Sequence, residues 1–117
     1  MKILIVEDEA LVALVLKTQL EQDGHKIIGP VATGEEAINL ALSEKPDLII
    51  MDIVLGGKIN GREAAEIITK EYPVYIIFTS GYEYENNNGT KLPSVTYLTK
   101  PIIPEKIKNI IETMITK

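Results

Sequence analysis

Short runs of apolar residues alternate with longer amphipathic stretches along this chain, and the alternation predicts the order of its elements. The apolar runs have the length of β-strands, and several show no polar alternation, as strands buried on both faces of a parallel sheet do. We predict strands at Ile3–Val6, Ile27–Val31, Leu48–Met51, Val74–Phe78 and Val95–Leu98. Pro30 cannot donate a backbone hydrogen bond to a neighbouring strand, which favours an edge or late position in the second strand.

The stretches between these runs are helical in pattern, with one exception. Helices are predicted at about 9–23, 34–44, 61–71 and 104–116. Thr33 and Asn60 each precede a glutamate by three residues, which is the spacing of a capping box at the start of a helix. The exception is the connection of residues 83–93, which has no apolar stripe and predicts an irregular loop or a single short turn.

This order of elements predicts an α/β fold. Right-handed crossovers between consecutive strands produce a three-layer, doubly wound, five-stranded parallel sheet in the order 2-1-3-4-5, which is flavodoxin-like. The helix that normally connects the fourth and fifth strands of such a fold, its fourth helix, would be short or absent here. A chain of 117 residues can bury one core without metal or disulfide staples, and we predict that residues 1–117 form one domain.

The composition and charge of the chain exclude some kinds of site and disfavour some ligands. The chain has no cysteine, which excludes thiol catalysis, zinc-cysteine sites and disulfides. Its net charge is −5, and the first 52 residues carry 10 acidic and 4 basic side chains, which disfavours nucleic acid as a direct ligand and favours a cation or a positively charged partner. The absence of a long apolar run and of a signal-peptide pattern leads us to expect a cytoplasmic protein without membrane insertion.

Polar residues follow the predicted strands at the edge where ligands bind in open parallel sheets. The strand ends carry Glu7-Asp8-Glu9, Asp52, Thr79-Ser80-Gly81 and Thr99-Lys100-Pro101. Carboxylates that converge repel one another, so a site that keeps them ionised usually holds a cation. Oxygen ligands without histidine or cysteine suit Mg²⁺, with Mn²⁺ as a second possibility.

These strand-end groups favour phosphoryl chemistry. A bound cation would shield a carboxylate nucleophile from the negative charge of an incoming phosphoryl group. Asp52 could then attack phosphorus and form an aspartyl phosphate. Lys100 can neutralise one phosphoryl oxygen, and the hydroxyl of Ser80 or Thr79 can hydrogen-bond another.

Four segments, spread over nearly the whole chain, resemble the response-regulator receiver domain of two-component signal transduction. They are ILIVEDE, PDLIIMDIVL, IIFTSGY and YLTKP. The resemblance implies that Asp52 is the phosphoacceptor and takes part in the metal site. It also implies that Asp8 binds Mg²⁺ directly, that Glu7 supports the ion through water, and that the backbone carbonyl of Val54 completes the protein ligands.

The same resemblance assigns roles near the last two strands. Lys100 would contact the phosphoryl group, and the Lys100–Pro101 peptide bond would be cis. Ser80, which precedes a small residue, fits the switch hydroxyl, with Thr79 as the alternative. Tyr97 occupies the place of an aromatic side chain that turns inward on activation, although a half-buried tyrosine in a strand is also a common core residue.

The function implied is a phosphorylation-dependent signalling switch rather than a dedicated enzyme. It would accept its phosphoryl group from a histidine kinase or a histidine phosphotransfer protein, hydrolyse it slowly, and signal to an unknown downstream protein effector. FTSGY and a reduced fourth helix resemble receivers that stand alone or belong to hybrid histidine kinases. The chain departs from the family at Leu55-Gly56-Gly57-Lys58, where most receivers have Met-Pro and one residue fewer before the residue matching Gly61.

Three other functions compete with this interpretation. A magnesium phosphatase of related fold would need a second acid two residues after its nucleophile, and Val54 stands there. A flavin-binding electron carrier would need a phosphate-binding loop after the first strand, where Glu7-Asp8-Glu9 would repel phosphate. A degenerate interaction domain would not be phosphorylated, although the acids, hydroxyls and lysine are all present.

Overall fold

A computed structural model describes residues 1–81 and 95–115 of the chain. These residues form five parallel strands and four helices. They are β1 (Lys2–Val6), α1 (Ala10–Gln22), β2 (Lys26–Val31), α2 (Gly34–Glu44), β3 (Leu48–Asp52), α3 (Gly61–Glu71), β4 (Tyr75–Ser80), β5 (Val95–Thr99) and α4 (Pro104–Ile115).

The strands form one parallel sheet in the order β2-β1-β3-β4-β5, which confirms the predicted topology. The central strand β3 pairs with β1 and with β4, and Asp52 lies opposite Thr79. The edge strand β2 contains Pro30, as predicted, and the Gly29–Pro30 peptide bond is cis. The pairing of β1 with β2 shifts register between Leu4 and Val6.

Each face of the sheet has its own hydrophobic core, because strand side chains point alternately to opposite faces. Leu4, Ile49 and Phe78 belong to the core beneath α2 and α3. Ile5, Ile50 and Ile77 belong to the core on the other face, with α1 and α4. The predicted apolar stripe of the last helix lies in this second core, with Ile107, Ile110, Ile111 and Met114.

The element boundaries agree with the predictions to within one or two residues. The main difference is at β4, which was predicted to end at Phe78 and continues through Thr79 to Ser80. Both polar residues pair with β5, opposite Leu98 and Thr99, so backbone pairing continues past the apolar run from which the strand was predicted. Asp52 similarly forms the last residue of β3 rather than the first residue after it.

The two predicted helix starts have the expected caps. The Thr33 hydroxyl accepts a hydrogen bond from the backbone N–H of Glu36 at 3.2 Å. Asn60 and Glu63 form a full capping box, with each side chain accepting from the other residue's backbone N–H at 2.9 Å. The predicted irregular connection of residues 83–93, and with it the short or absent fourth helix, lies outside the described residues. No helix within residues 1–81 and 95–115 has the length and apolar character needed to cross a membrane.

Candidate functional site

The acidic and basic candidates meet at the carboxyl edge of the sheet. Glu7 follows β1, Asp52 ends β3 and Lys100 follows β5. Backbone hydrogen bonds hold these positions: Glu7 donates to the carbonyl of Val31 at 2.9 Å, and Lys100 donates to that of Ser80 at 2.6 Å. The sheet itself therefore brings together groups that are far apart in sequence.

Lys100 is the centre of this group. Its ammonium nitrogen lies 2.9 Å from Oδ2 of Asp52, 3.2 Å from Oε1 of Glu7 and 3.3 Å from Oε1 of Glu9. Glu7 and Asp52 are only 4% and 5% exposed, whereas Glu9 lies at the solvent side. One ammonium group thus faces two buried carboxylates and offsets only part of their negative charge.

Burial and charge shift two pKa values at this site. Burial raises the pKa of Glu7, and its hydrogen bonds from the Glu9 backbone N–H and from Lys100 oppose that shift. Burial alone would lower the pKa of Lys100, but hydrogen bonding and charge interaction with Asp52 and Glu7 outweigh it and raise this pKa. Lys100 is therefore a permanent cation at neutral pH, and it is available to meet negatively charged oxygens.

The carboxylates fit a small divalent cation. Glu7, Asp8 and Asp52 each offer an oxygen within 4.8 Å of the others'. Oε1 of Glu7 is buried and accepts no hydrogen bond from residues 1–81 or 95–115, although it forms an ion pair with the Lys100 ammonium at 3.2 Å. Three carboxylates this close together, two of them buried, form a set of oxygen ligands that suits an oxygen-preferring ion such as Mg²⁺.

The loop after β3 turns closely around the end of that strand. The backbone N–H of Val54 donates to Oδ1 of Asp52 at 3.1 Å, so this carboxylate is held from both sides, by Val54 and by Lys100. At the far end of the loop, the N–H of Gly61 donates to the carbonyl of Ile53 at 2.8 Å. A side chain at position 61 would collide with the backbone oxygen of Asp52, so α3 must begin with glycine here.

Both candidate hydroxyls are buried at the end of β4. Thr79 is 1% exposed and pairs with Asp52 across the sheet, and its carbonyl accepts from the N–H of Ile53 at 3.0 Å. Ser80 is 3% exposed and is the last residue of the strand. The sheet brings both hydroxyls to the edge that carries Asp52.

Tyr97 lies on β5 between two contacts. Its ring centroid is 5.3 Å from that of Phe78 on β4, and the two rings are tilted by 31°. The guanidinium carbon of Arg62, in the first turn of α3, lies 5.4 Å from the Tyr97 ring centroid. Tyr97 is half-buried, so its side chain lies partly in the core and partly at the surface beside β5.

Two contacts at this edge do not follow from the sequence pattern. The sequence shows Glu9 only as part of an acidic run, yet it is a direct partner of Lys100. Arg62 has no role that the sequence predicts, because a sequence does not reveal which strand residue a helix side chain will cover.

The Lys100–Pro101 peptide bond is cis in the structure.

An apolar surface borders the acidic site. On α1, Leu11, Leu14 and Val15 are 77%, 56% and 58% exposed, and Val54 in the loop after β3 is 60% exposed. A groove of about 530 Å³ runs between α1 and residues 100–102, with Glu9 and Lys100 at its rim. Large exposed apolar side chains grouped around a charged site are typical of a surface that binds another protein.

The chain matches the family model described as the response regulator receiver domain over residues 3–112. This chain belongs to that family. Receiver domains are parts of two-component systems, they act generally as phosphorylation-dependent switches, and they are signalling proteins rather than dedicated enzymes. They bind Mg²⁺ at an acidic cluster, and they interact with histidine kinases or phosphotransfer proteins and with downstream effectors.

Individual relatives show the extent of the similarity. Protein PilH of Pseudomonas aeruginosa is 34% identical over 119 residues, with 97% of each chain covered. The alkaline phosphatase synthesis transcriptional regulatory protein PhoP of Bacillus subtilis is 33% identical over 109 residues, which cover 91% of this chain and 45% of PhoP. The structure is also similar to that of response regulator protein TrrA from Thermotoga maritima in complex with Mg(2+)-BeF, with a TM-score of 0.84, 29% identity and 96% of each chain covered.

Proposed function

We propose that residues 1–117 form one receiver domain that accepts a phosphoryl group on Asp52 and relays this modification to a protein effector. One observation carries the proposal: the Lys100 ammonium lies 2.9 Å from Oδ2 of Asp52, at a point where Glu7, Asp8 and Asp52 also offer oxygens to a cation. This geometry supports the proposal, because aspartyl phosphate formation needs a carboxylate nucleophile, a cation and a fixed positive charge close together.

The residues of the site have separate proposed roles. Glu7, Asp8, Asp52 and the backbone carbonyl of Val54 would hold Mg²⁺, or Mn²⁺ in its place. When bound, the ion supplies positive charge that offsets the carboxylates and the phosphoryl oxygens. Lys100 pairs with Asp52 before the reaction and with a phosphoryl oxygen after it.

The phosphoryl donor we propose is a phosphohistidine of a histidine kinase or a histidine phosphotransfer protein. A carboxylate oxygen of Asp52 forms the new P–O bond as the P–N bond breaks, and the electron pair of that bond stays with the imidazole, which then takes up a proton. Such a donor must bring its ring close to Asp52. The exposed apolar residues Leu11 and Val15, which line the groove with Glu9 and Lys100, and Val54 provide a surface for it beside the site. Because a histidine kinase takes its phosphoryl group from ATP, we propose that this domain acts in the cytoplasm.

The switch would operate through β4 and β5. We propose that the Ser80 hydroxyl hydrogen-bonds the phosphoryl group, with Thr79 as the alternative, and that Tyr97 changes its packing in response. The group shifts the conformation only if it binds one state better than the other. The variants Ser80→Ala and Thr79→Ala remove one hydroxyl each. The switch hydroxyl is the one whose removal leaves the environment of Tyr97 unchanged when the protein is phosphorylated.

Phosphorylation by a small donor tests the proposal. The intact mass of the protein is measured after incubation with acetyl phosphate and Mg²⁺, beside an EDTA control and Asp52→Asn. We expect one phosphoryl adduct that requires both the metal and Asp52. Phosphoramidate, whose P–N bond resembles that of phosphohistidine, should give the same adduct. No adduct from either donor would leave the degenerate interaction domain as the better account.

A further inference from the structure

We infer that Glu35 on α2 is a positioning residue for the Asp52 site, because it fixes the loop that carries the Val54 carbonyl. The inference rests on the proposed function, in which that carbonyl is a metal ligand. Glu35 lies outside the acidic cluster, and its connection to the loop spans 23 positions of sequence. What links it to the site is a set of contacts between the first turn of α2 and residues 54–60.

The central contact is a hydrogen bond. Oε2 of Glu35 accepts from the backbone N–H of Lys58 at 3.1 Å. The other carboxylate oxygen, Oε1, is buried and has no hydrogen-bond partner among the described residues. The side chain therefore turns inward over the loop, although Lys58 itself is exposed.

Gly57 makes this approach possible. Its φ is +88°, and a Cβ there would lie only 2.8 Å from Oε1 of Glu35. Any other residue at position 57 would be strained in its backbone and would also push the carboxylate away. Gly57, one of the two glycines by which this loop departs from the family pattern, thus forms the surface against which Glu35 lies.

Neighbouring contacts support the same arrangement. Thr33, which caps α2, forms an isolated parallel bridge with Gly56. The Ile59 side chain packs so closely on Gly34 that a Cβ there would lie 2.6 Å from it. The cap residue Thr33 and the first two residues of α2, Gly34 and Glu35, therefore each contact the loop.

The consequence for the site follows from where the loop is held. It is fixed at its start by the Val54 N–H to Asp52 bond and at its end by the Gly61 N–H to Ile53 bond. Between these points two adjacent glycines give the backbone unusual freedom. Without the Glu35 contact, ordering that loop around a cation would cost conformational entropy at the moment of binding.

Glu36 provides a matched control. It carries the same charge on the same helical turn, but its side chain only completes the local cap with Thr33 and Ala32. Glu35→Gln is the conservative variant, since it removes the charge and keeps an oxygen that can accept from Lys58. Comparison of these variants separates the hydrogen bond from the loss of negative charge near the cation site.

The test combines amide hydrogen exchange by NMR in the metal-free protein with calorimetric titration of Mg²⁺. In Glu35→Ala, exchange of the Lys58 amide should accelerate and Mg²⁺ should bind about tenfold more weakly, as when other outer-sphere supports of metal ligands are removed. Glu35→Gln should restore both properties, and Glu36→Ala should leave the Lys58 amide protected. Each variant's melting temperature without metal checks that it is folded.

Two results would overturn the inference. One is equal loss of Mg²⁺ affinity in Glu35→Ala and Glu36→Ala, which would make the effect one of charge alone. The other is an unchanged Mg²⁺ affinity in Glu35→Ala despite faster exchange at Lys58, since the loop would then be free without consequence for the site. If the unaltered protein itself failed to bind Mg²⁺, the proposed function would fall, and the inference with it.

Discussion

The ammonium nitrogen of Lys100 lies 2.9 Å from Oδ2 of Asp52, which joins the residue after β5 to the last residue of β3 across the intervening strand β4. The Asp52 carboxylate is thereby held at both oxygens, since Val54 donates to the other one. This arrangement orients, before any phosphoryl group arrives, the carboxylate that we propose as the nucleophile.

Loss of the Lys100 ammonium should destabilise the metal-free protein. In Lys100→Met, Glu7 and Asp52 lose their common cation, and we expect the free energy of unfolding to fall by about 2 kcal/mol, below the roughly 3–5 kcal/mol of a fully buried pair. Lys2→Met is the control, because Lys2 pairs with Glu44 at 3.2 Å near the surface and should cost about 0–1 kcal/mol. Urea unfolding measures both.

A second substitution checks the reason for that loss. Adding Asp52→Asn to Lys100→Met removes one of the uncompensated charges and should recover part of the stability. Equal losses in Lys100→Met and Lys2→Met, or no recovery in the double variant, would contradict the assignment of Lys100 as the cation that stabilises these buried carboxylates.

Mg²⁺ should stabilise the protein through Asp8. At about 100 times its dissociation constant, an ion that binds only the folded state adds about 2.7 kcal/mol to the free energy of unfolding. Asp8→Asn should abolish most of this gain, whereas Asp23→Asn, which removes an exposed acid at the end of α1, should keep it. Thermal unfolding with Mg²⁺ and with EDTA decides the matter, and an equal gain in both variants would place the ion elsewhere.

Much of this site follows from the sequence, and the physical reason is the sheet. Parallel strands place their carboxyl ends at one edge of the sheet. The positions of the apolar runs therefore predict that Glu7, Asp52 and Lys100 lie close together. Glu35 escaped prediction because its contact with Lys58 depends on how a helix packs against an irregular loop, which no periodic pattern encodes. The end of β4 was placed too early because Thr79 and Ser80 are polar, and their burial comes from the surrounding fold.

Tyr72, far from the site, should show a pH-dependent contribution to stability. Its hydroxyl donates to the carbonyl of Pro46 at 3.0 Å, and burial, followed by the charge of Asp47, raises its pKa from 10.0 to about 12. A raised pKa means that the folded protein holds this proton more tightly than the unfolded chain does. The contribution is therefore complete below pH 10 and is lost as the pH rises towards 12.

The variant that tests it is Tyr72→Phe. We expect it to lose about 1 kcal/mol of stability at neutral pH, as for one hydrogen bond, and to differ less from the unaltered protein above pH 11. Tyr75→Phe is the control, since the Tyr75 hydroxyl has no hydrogen bond to the part of the chain that the structure describes. A constant difference between the two variants from pH 7 to 11 would refute this role of the phenol proton.

Phosphorylation should alter the surroundings of Tyr97. The ring now lies between Phe78 and Arg62, and movement of a β4 hydroxyl towards the phosphoryl group would change that packing. We expect the aromatic NMR signals of Tyr97 to shift on addition of acetyl phosphate and Mg²⁺, and those of Tyr72 to stay. In Asp52→Asn neither should move, and a Tyr97 shift in that variant would show that the ring responds to something other than phosphorylation.

The most direct test of the central claim is to find which residue carries the phosphoryl group. The protein is phosphorylated with acetyl phosphate and Mg²⁺ and then reduced with borohydride, which converts an aspartyl phosphate to homoserine, and peptide mass spectrometry locates the change. We predict homoserine in place of Asp52 and at no other acidic position. Conversion of Asp8 or another carboxylate while Asp52 remained intact would contradict the account.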